Sequence, residues 1–278
     1  TGEFWAAITD GDGNYKMHSF LESEDAVVLV EPVATYIQFM LDKHLLRLTD
    51  RKEMIMQDKI NHWWQLKQRM TNWIVYKKKL WVLKLGYQLY RREYSRLLQA
   101  LGGNTYMLID QKELQQIAHH YYHSHIEGGE GYMEIAKNIY YHQKAKCHMV
   151  LSLKPFGCMP STQSDGVQAA VTEHHKNMIF LPLETSGEGK TNAHNRVLMA
   201  LADAREKSKL EVNEALSSSK HSLTELRNYI SHHPELKTPG YKYPKREGVA
   251  GRAPNMIYHV EELLRENQTN KTKNPPPQ

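Results

Sequence analysis

The residues best placed to do chemistry in this sequence lie in a few loops, first of them Lys154-Pro155-Phe156-Gly157-Cys158-Met159-Pro160-Ser161. A cysteine thiolate is both a nucleophile and a ligand for soft metals. Pro155 and Pro160 restrict the backbone on either side, and Gly157 admits a close approach or an unusual φ, so Cys158 can be presented rigidly. Cys158 is therefore the candidate metal ligand or nucleophile. The competing role for it is a small apolar side chain filling a tight turn. Cys147, eleven positions earlier at the start of an apolar run, reads as inert packing. Two thiols can build neither a disulfide framework nor a complete metal cage, and they fit a reducing, cytoplasmic setting.

Three further groups compete with this loop. Glu184-Thr185-Ser186-Gly187-Glu188-Gly189-Lys190-Thr191 ends like a phosphate-binding loop, but Glu184 stands where the leading glycine belongs and its carboxylate would oppose a phosphate chain. A plain turn with Thr191 or Asn192 as helix cap competes with it. Gly128-Gly129-Glu130-Gly131 can cradle an anion or serve as a flexible link. Sixteen histidines include the adjacent pairs His119-His120, His174-His175 and His232-His233, which diverge on a helix, and no His-Glu-x-x-His pattern occurs. Solvated or partly buried imidazoles are the expectation.

Charge is concentrated. Residues 59–96 hold ten Lys and Arg against the single acid Glu93, a local +9 within a chain of formal charge +5. Trp63, Trp64, Trp73 and Trp81 interleave with these cations, a combination used on single-stranded nucleic acid and anionic membranes. The same Trp residues share helical spacing with Leu66 and Met70, which predicts a core-facing stripe with the cations as a solvated face. No uncharged apolar run of about 18 residues or more and no basic-then-apolar leader is seen, so neither a spanning helix nor a signal peptide is expected.

The elements that must position the loops follow from periodicity. Gly2–Ile8 and the continuous apolar run Ala26–Val30 read as strands around a short helix with Met17, Phe20 and Leu21. Pro32 opens a helix through Tyr36, Ile37, Met40 and Leu41, and residues 50–101, with Gly86 as their only Gly or Pro, predict long helices. Helices are expected around Leu114 and over Met133–Tyr141. Cys147–Leu153 and Met178–Leu183 read as strands, each followed by a loop and a helix, Gly166–Glu173 and Ala193–Ala204, which implies a mostly parallel sheet. The domain reading is an α/β domain over 1–44 and 104–205, a basic helical insertion over 45–103, a helical and extended segment over 206–266 with a break at Ser217–Ser219, and a disordered tail over 267–278. The abrupt apolar start at Thr1 suggests a piece of a longer chain.

Taken in order, Thr1-Gly2-Glu3-Phe4-Trp5-Ala6, Gly11-Asp12-Gly13-Asn14-Tyr15, Phe20-Leu21-Glu22-Ser23, the Lys154–Ser161 loop, Glu184–Gly189 and Asn195-Arg196 resemble the C-terminal region of the large acyl-CoA dehydratase activase-related proteins. That region is itself similar to the 2-hydroxyglutaryl-CoA dehydratase D component, and the resemblance spans residues 1–40 and 125–265. It implies an open, mostly parallel flavodoxin/Rossmann-like sheet and a [4Fe-4S]-type cluster in an anaerobic, ATP-dependent electron-transfer system. Cys158 matches the cluster cysteine; Glu3, Asn14, Glu184 and Arg196 match motif positions without an assigned role. The other cluster ligands and the ATP site would lie on N-terminal modules of the same protein or on a partner subunit, with acyl-CoA as the substrate class. The basic insertion departs from the dehydratase pattern. Neither nucleic acid nor membrane is an expected partner; the alternative is a non-catalytic domain docking an acidic partner or nucleic acid through its basic helices.

Overall fold

A computed structural model describes residues 1–57, 62–103, 106–126, 128–185, 189–238 and 240–273, the last seven of them as backbone alone. The chain is a mixed α/β protein, dominated by helix, around a small parallel sheet. Its two strands, β1 (Val150–Pro155) and β2 (Phe180–Thr185), pair from Val150 opposite Phe180 to Pro155 opposite Thr185. The connecting helix, Met159–His174, makes the crossover that parallel neighbours require. Both strands were legible as apolar runs. The expected flavodoxin/Rossmann-like sheet is met only to the extent of these two strands, extended on the free side of β1 by Thr1–Glu3: Leu153 donates to the Thr1 carbonyl at 2.9 Å and Glu3 donates to the Leu153 carbonyl at 2.8 Å.

Two predicted strands take other forms. Beyond Glu3 the segment turns at once into α1 (Phe4–Ile8), because the Glu3 carboxylate accepts the Ala6 N–H at 2.9 Å and caps the helix. Ala26–Val30, which follows α2 (Met17–Ser23), is extended but joins no ladder. Val27 is fully exposed while Ala26 and Val28 pack on the sheet-side core, so the run covers that core with one face only.

α3 (Val33–Gln57) and α4 (Trp63–Ala100) form a long helical hairpin. α4 turns Trp73, Tyr76, Leu80, Leu83, Tyr87, Tyr90, Tyr94 and Leu98 inward at three-and-four spacing. Gln38 donates to the Tyr87 hydroxyl at 3.1 Å, and Tyr90 donates to the Ala34 carbonyl at 2.5 Å. The predicted core-facing Trp stripe is overturned: Trp63, Trp64, Leu66, Met70 and Trp81 are exposed, and of the four Trp only Trp73 turns in. The spacing straddled two faces of the helix, and only one has a partner.

α5 (Gln111–Ala118) leads to α6 (Gly131–Gln143), the centre of the molecule. Every residue of α6 from Gly131 to Ile139 is buried, Glu134, Lys137 and Asn138 included. Tyr132, Met133 and Ala136 pack with Phe39 and Leu114, while Ile135 and Ile139 pack with Val171 of α7 (Met159–His174). α8 (Lys190–Ser218) covers the sheet through Ala193, Val197 and Leu201. Its far end meets α9 (Leu223–His232), started by a Ser222/Glu225 capping box, and α10 (Arg252–Lys273) in a separate cluster around Leu226 and Val260. The helix break falls at Ser219, where expected, and 241–249 carry no regular element. The predicted disordered tail is helical in its backbone as far as Lys273; 274–278 lie outside the described residues.

Candidate functional site

β1 ends at Pro155, and the chain turns through Gly157, at φ +73°, into Cys158, which is the N-cap of α7. A left-handed φ there is why the position takes glycine. The turn is fastened to the end of β2: Phe156 donates to the Thr185 carbonyl and Gly157 to the Glu184 carboxylate, each at 3.2 Å. Thr162 donates both its N–H and its hydroxyl to the Cys158 carbonyl at 2.9 Å. The Cys158 backbone is thus fixed, while its half-buried side chain makes no capping bond and lies between the exposed Phe156 and Met159 at the carboxyl rim of the sheet.

The first turn of α7 is anchored from below. Glu134 of α6 is buried and accepts from Ser161 at 2.8 Å and from Ser164 at 2.5 Å. Burial raises its pKa, and the two hydroxyls pull the other way. Lys154 of β1 forms a largely buried ion pair with Asp165 of α7. Gly128–Gly131 closes the side of the site. Gly129 has φ +118°, and a Cβ there would meet Pro160 Cγ at 2.4 Å, so loop and α7 start are in direct apposition. Glu130, in that loop, accepts the Phe4 N–H at 3.2 Å. Burial, aided by the nearby Glu134 and Glu3 carboxylates, pushes it up to about 7.

A third buried carboxylate behaves oppositely. Burial alone would raise Glu31, yet the Lys137 ammonium and the Tyr141 hydroxyl hold it below the ordinary range. Burial likewise pushes the Cys147 thiol up, in keeping with packing rather than chemistry. The geometry gives one half-buried thiol on a rigid turn, with the buried Glu130 in the glycine loop that abuts the start of α7.

The other motif residues hold the scaffold. Buried Asn14 donates to the Ala6 and Thr9 carbonyls and accepts from Gly11, locking the loop after α1. Arg196 donates to the Pro182 carbonyl at 3.0 Å, tying α8 to β2. Phe20 stacks on His194 with centroids 3.8 Å apart. In the phosphate-loop-like segment, 186–188 lie outside the described residues, and Gly189 is the N-cap of α8. His119, His120, His123 and His125 are exposed neighbours, and among the described residues no group of three or more His, Cys, Asp or Glu is arranged to hold a metal ion.

No protein-family model, curated protein or solved structure matches this chain. The sequence alone singles out the Lys154–Ser161 loop with Cys158 and the Gly128–Gly131 loop, but not Glu134, Ser164 or the pairing of Lys154 with Asp165. The available signal was the polar residues inside otherwise apolar elements, Glu134 and Lys154, since charge in such runs is retained where it has a partner.

Proposed function

We propose that this chain is the cluster-bearing C-terminal subdomain of an ATP-dependent acyl-CoA dehydratase/activase-type electron-transfer system, with Cys158 as its ligand to a [4Fe-4S]-type cluster. The observation that carries the reading is the accessible thiol on a fixed turn at the carboxyl rim of a parallel sheet, the position where α/β proteins bind ligands. The fit is to one ligand: Cys147 is a packed residue some way off in sequence, so the other thiolates and the ATP site belong to N-terminal modules or a partner subunit. When bound, such a cluster supplies one-electron transfer. The residues of this chain would orient the thiolate by fixing the turn through Thr162 and Glu184. In this reading β1, β2 and the covering helices α7 and α8 are part of a flavodoxin-like unit.

The test is the iron and sulfide content of the full-length protein purified without oxygen. Cys158→Ser is expected to lower both, and Cys147→Ser to leave both near the unaltered level. Unchanged iron and sulfide in Cys158→Ser would reject the assignment. A second reading, a non-catalytic docking module, has its own support in the exposed basic and aromatic face of α4.

A further inference from the structure

α4 is apolar on two sides. The side centred on Tyr76 packs inward; the other carries Trp63, Leu66, Met70, Ile74, Trp81 and Leu85, all exposed. At 3.6 residues per turn these six fall within about 100° of the helix circumference. Trp63, Met70, Ile74, Trp81 and Leu85 are separated by steps of 7, 4, 7 and 4. Seven residues fall just short of two turns and four run just past one, so the stripe stays parallel to the axis over about 33 Å. Such a stripe lies flat on a plane, whereas the common left-handed coiled coil calls for an apolar repeat averaging 3.5 residues.

The charge around the stripe narrows the occupant. α4 carries nine Lys and Arg against Glu93 alone, and Glu93 is already paired with Arg96 at 2.8 Å. Lys67, Lys77, Lys78 and Lys84 are exposed within and beside the stripe. A second copy would bring two such cationic faces together and repel. Stacking of nucleic-acid bases would use the Trp rings but not the Leu66, Met70, Ile74 and Leu85 side chains between them. A surface that is both anionic and apolar beneath its charge satisfies both sets: the lysines reach headgroups while Trp, Leu, Ile and Met enter the acyl boundary. No helix among the described residues is long and apolar enough to cross a membrane, which concerns spanning and not lying along its surface. We infer that the outer face of α4 docks the protein on an anionic phospholipid surface. This departs from the sequence expectation of no membrane partner and is independent of the Cys158 assignment.

The test mixes the full chain with vesicles of phosphatidylcholine or of phosphatidylcholine and phosphatidylserine in equal parts, reading flotation and Trp emission. Binding to the mixed vesicles is expected, with a blue shift from Trp63 and Trp81, and weak binding to neutral ones. Trp81→Glu and Ile74→Glu should each lower affinity at least tenfold, and each of Lys77→Glu and Lys78→Glu at least about fivefold. Circular dichroism should be unchanged in these variants, and melting unchanged in all but Lys77→Glu, whose ammonium lies 4.9 Å over the Trp73 ring, because the positions are solvent-exposed; Cys158→Ser should bind as the parent does. No binding to mixed vesicles, equal binding to neutral ones, variants that bind like the parent, or tighter binding to a single-stranded oligonucleotide or an acidic peptide than to vesicles would each overturn the inference.

Discussion

α6 and α4 are both rich in apolar residues, yet nine consecutive residues of α6 are buried, whereas Tyr76 alone is buried among the 38 of α4. α6 is enclosed by α5, α7 and the sheet, so its charged residues Glu134 and Lys137 each had to acquire a partner inside the protein. α4 has one neighbour along most of its length, and its lysines remain in solvent, while Arg69 reaches the Met56 carbonyl at 3.1 Å. The lesson is that apolar spacing reports that a helix forms, while burial depends on how many of its sides meet another element. The Cys158 turn belongs to the first regime, fixed from beneath by Glu134 and Asp165; the lipid-docking face belongs to the second.

The contrast sets an order of expected effects. Ile139→Ala, deep between α6 and α7, should cost about 3 kcal/mol or more in urea denaturation, whereas Ile74→Ala on the outer face of α4 should stay within about 0.5 kcal/mol. Similar costs at the two sites would break the comparison. Glu130 comes next. Burial holds its folded-state pKa at about 7, above the ordinary 4.5, so its protonated form is the one the fold accommodates. Its contribution to stability is complete below the ordinary value and is lost as pH climbs through about 7. Glu130→Gln should therefore match the parent below that lower value and be the more stable protein at pH 8, by at most about 3 kcal/mol, as read by melting at the two pH values. A pH-independent difference would show that Glu130 is solvated after all. The smallest effect expected is that of Ser164→Ala, which removes one of the two hydroxyls on Glu134 and should cost about 1 to 2 kcal/mol, while sharpening the question of how firmly the α7 start is held.

Much of this fold was legible. β1 and β2 are apolar runs bounded by turn formers, α3 begins just past Pro32, and the α8 helix ends where three serines stand. The misreadings share a cause. Gly2–Ile8 and Ala26–Val30 have strand-like composition, but a strand exists only where a neighbour offers a ladder, and from Phe4 onward Glu3 supplies a helix cap instead. Cys158 could be named from its loop because proline and glycine act locally. Its support could not, since Glu134 lies 27 residues from Ser161 and 30 from Ser164, and only the folded chain brings them together.

The pairing of Thr1–Glu3 with Leu153 has a consequence for the order of assembly. During synthesis Thr1–Glu3 are made roughly ten to thirty seconds before Leu153, at ordinary elongation rates. The α3–α4 hairpin, whose contacts are close in sequence, can form in that interval, whereas the sheet has to wait for the second half of the chain. A nascent polypeptide halted before residue 150 would therefore present Thr1–Glu3 to chaperones as an unclaimed edge.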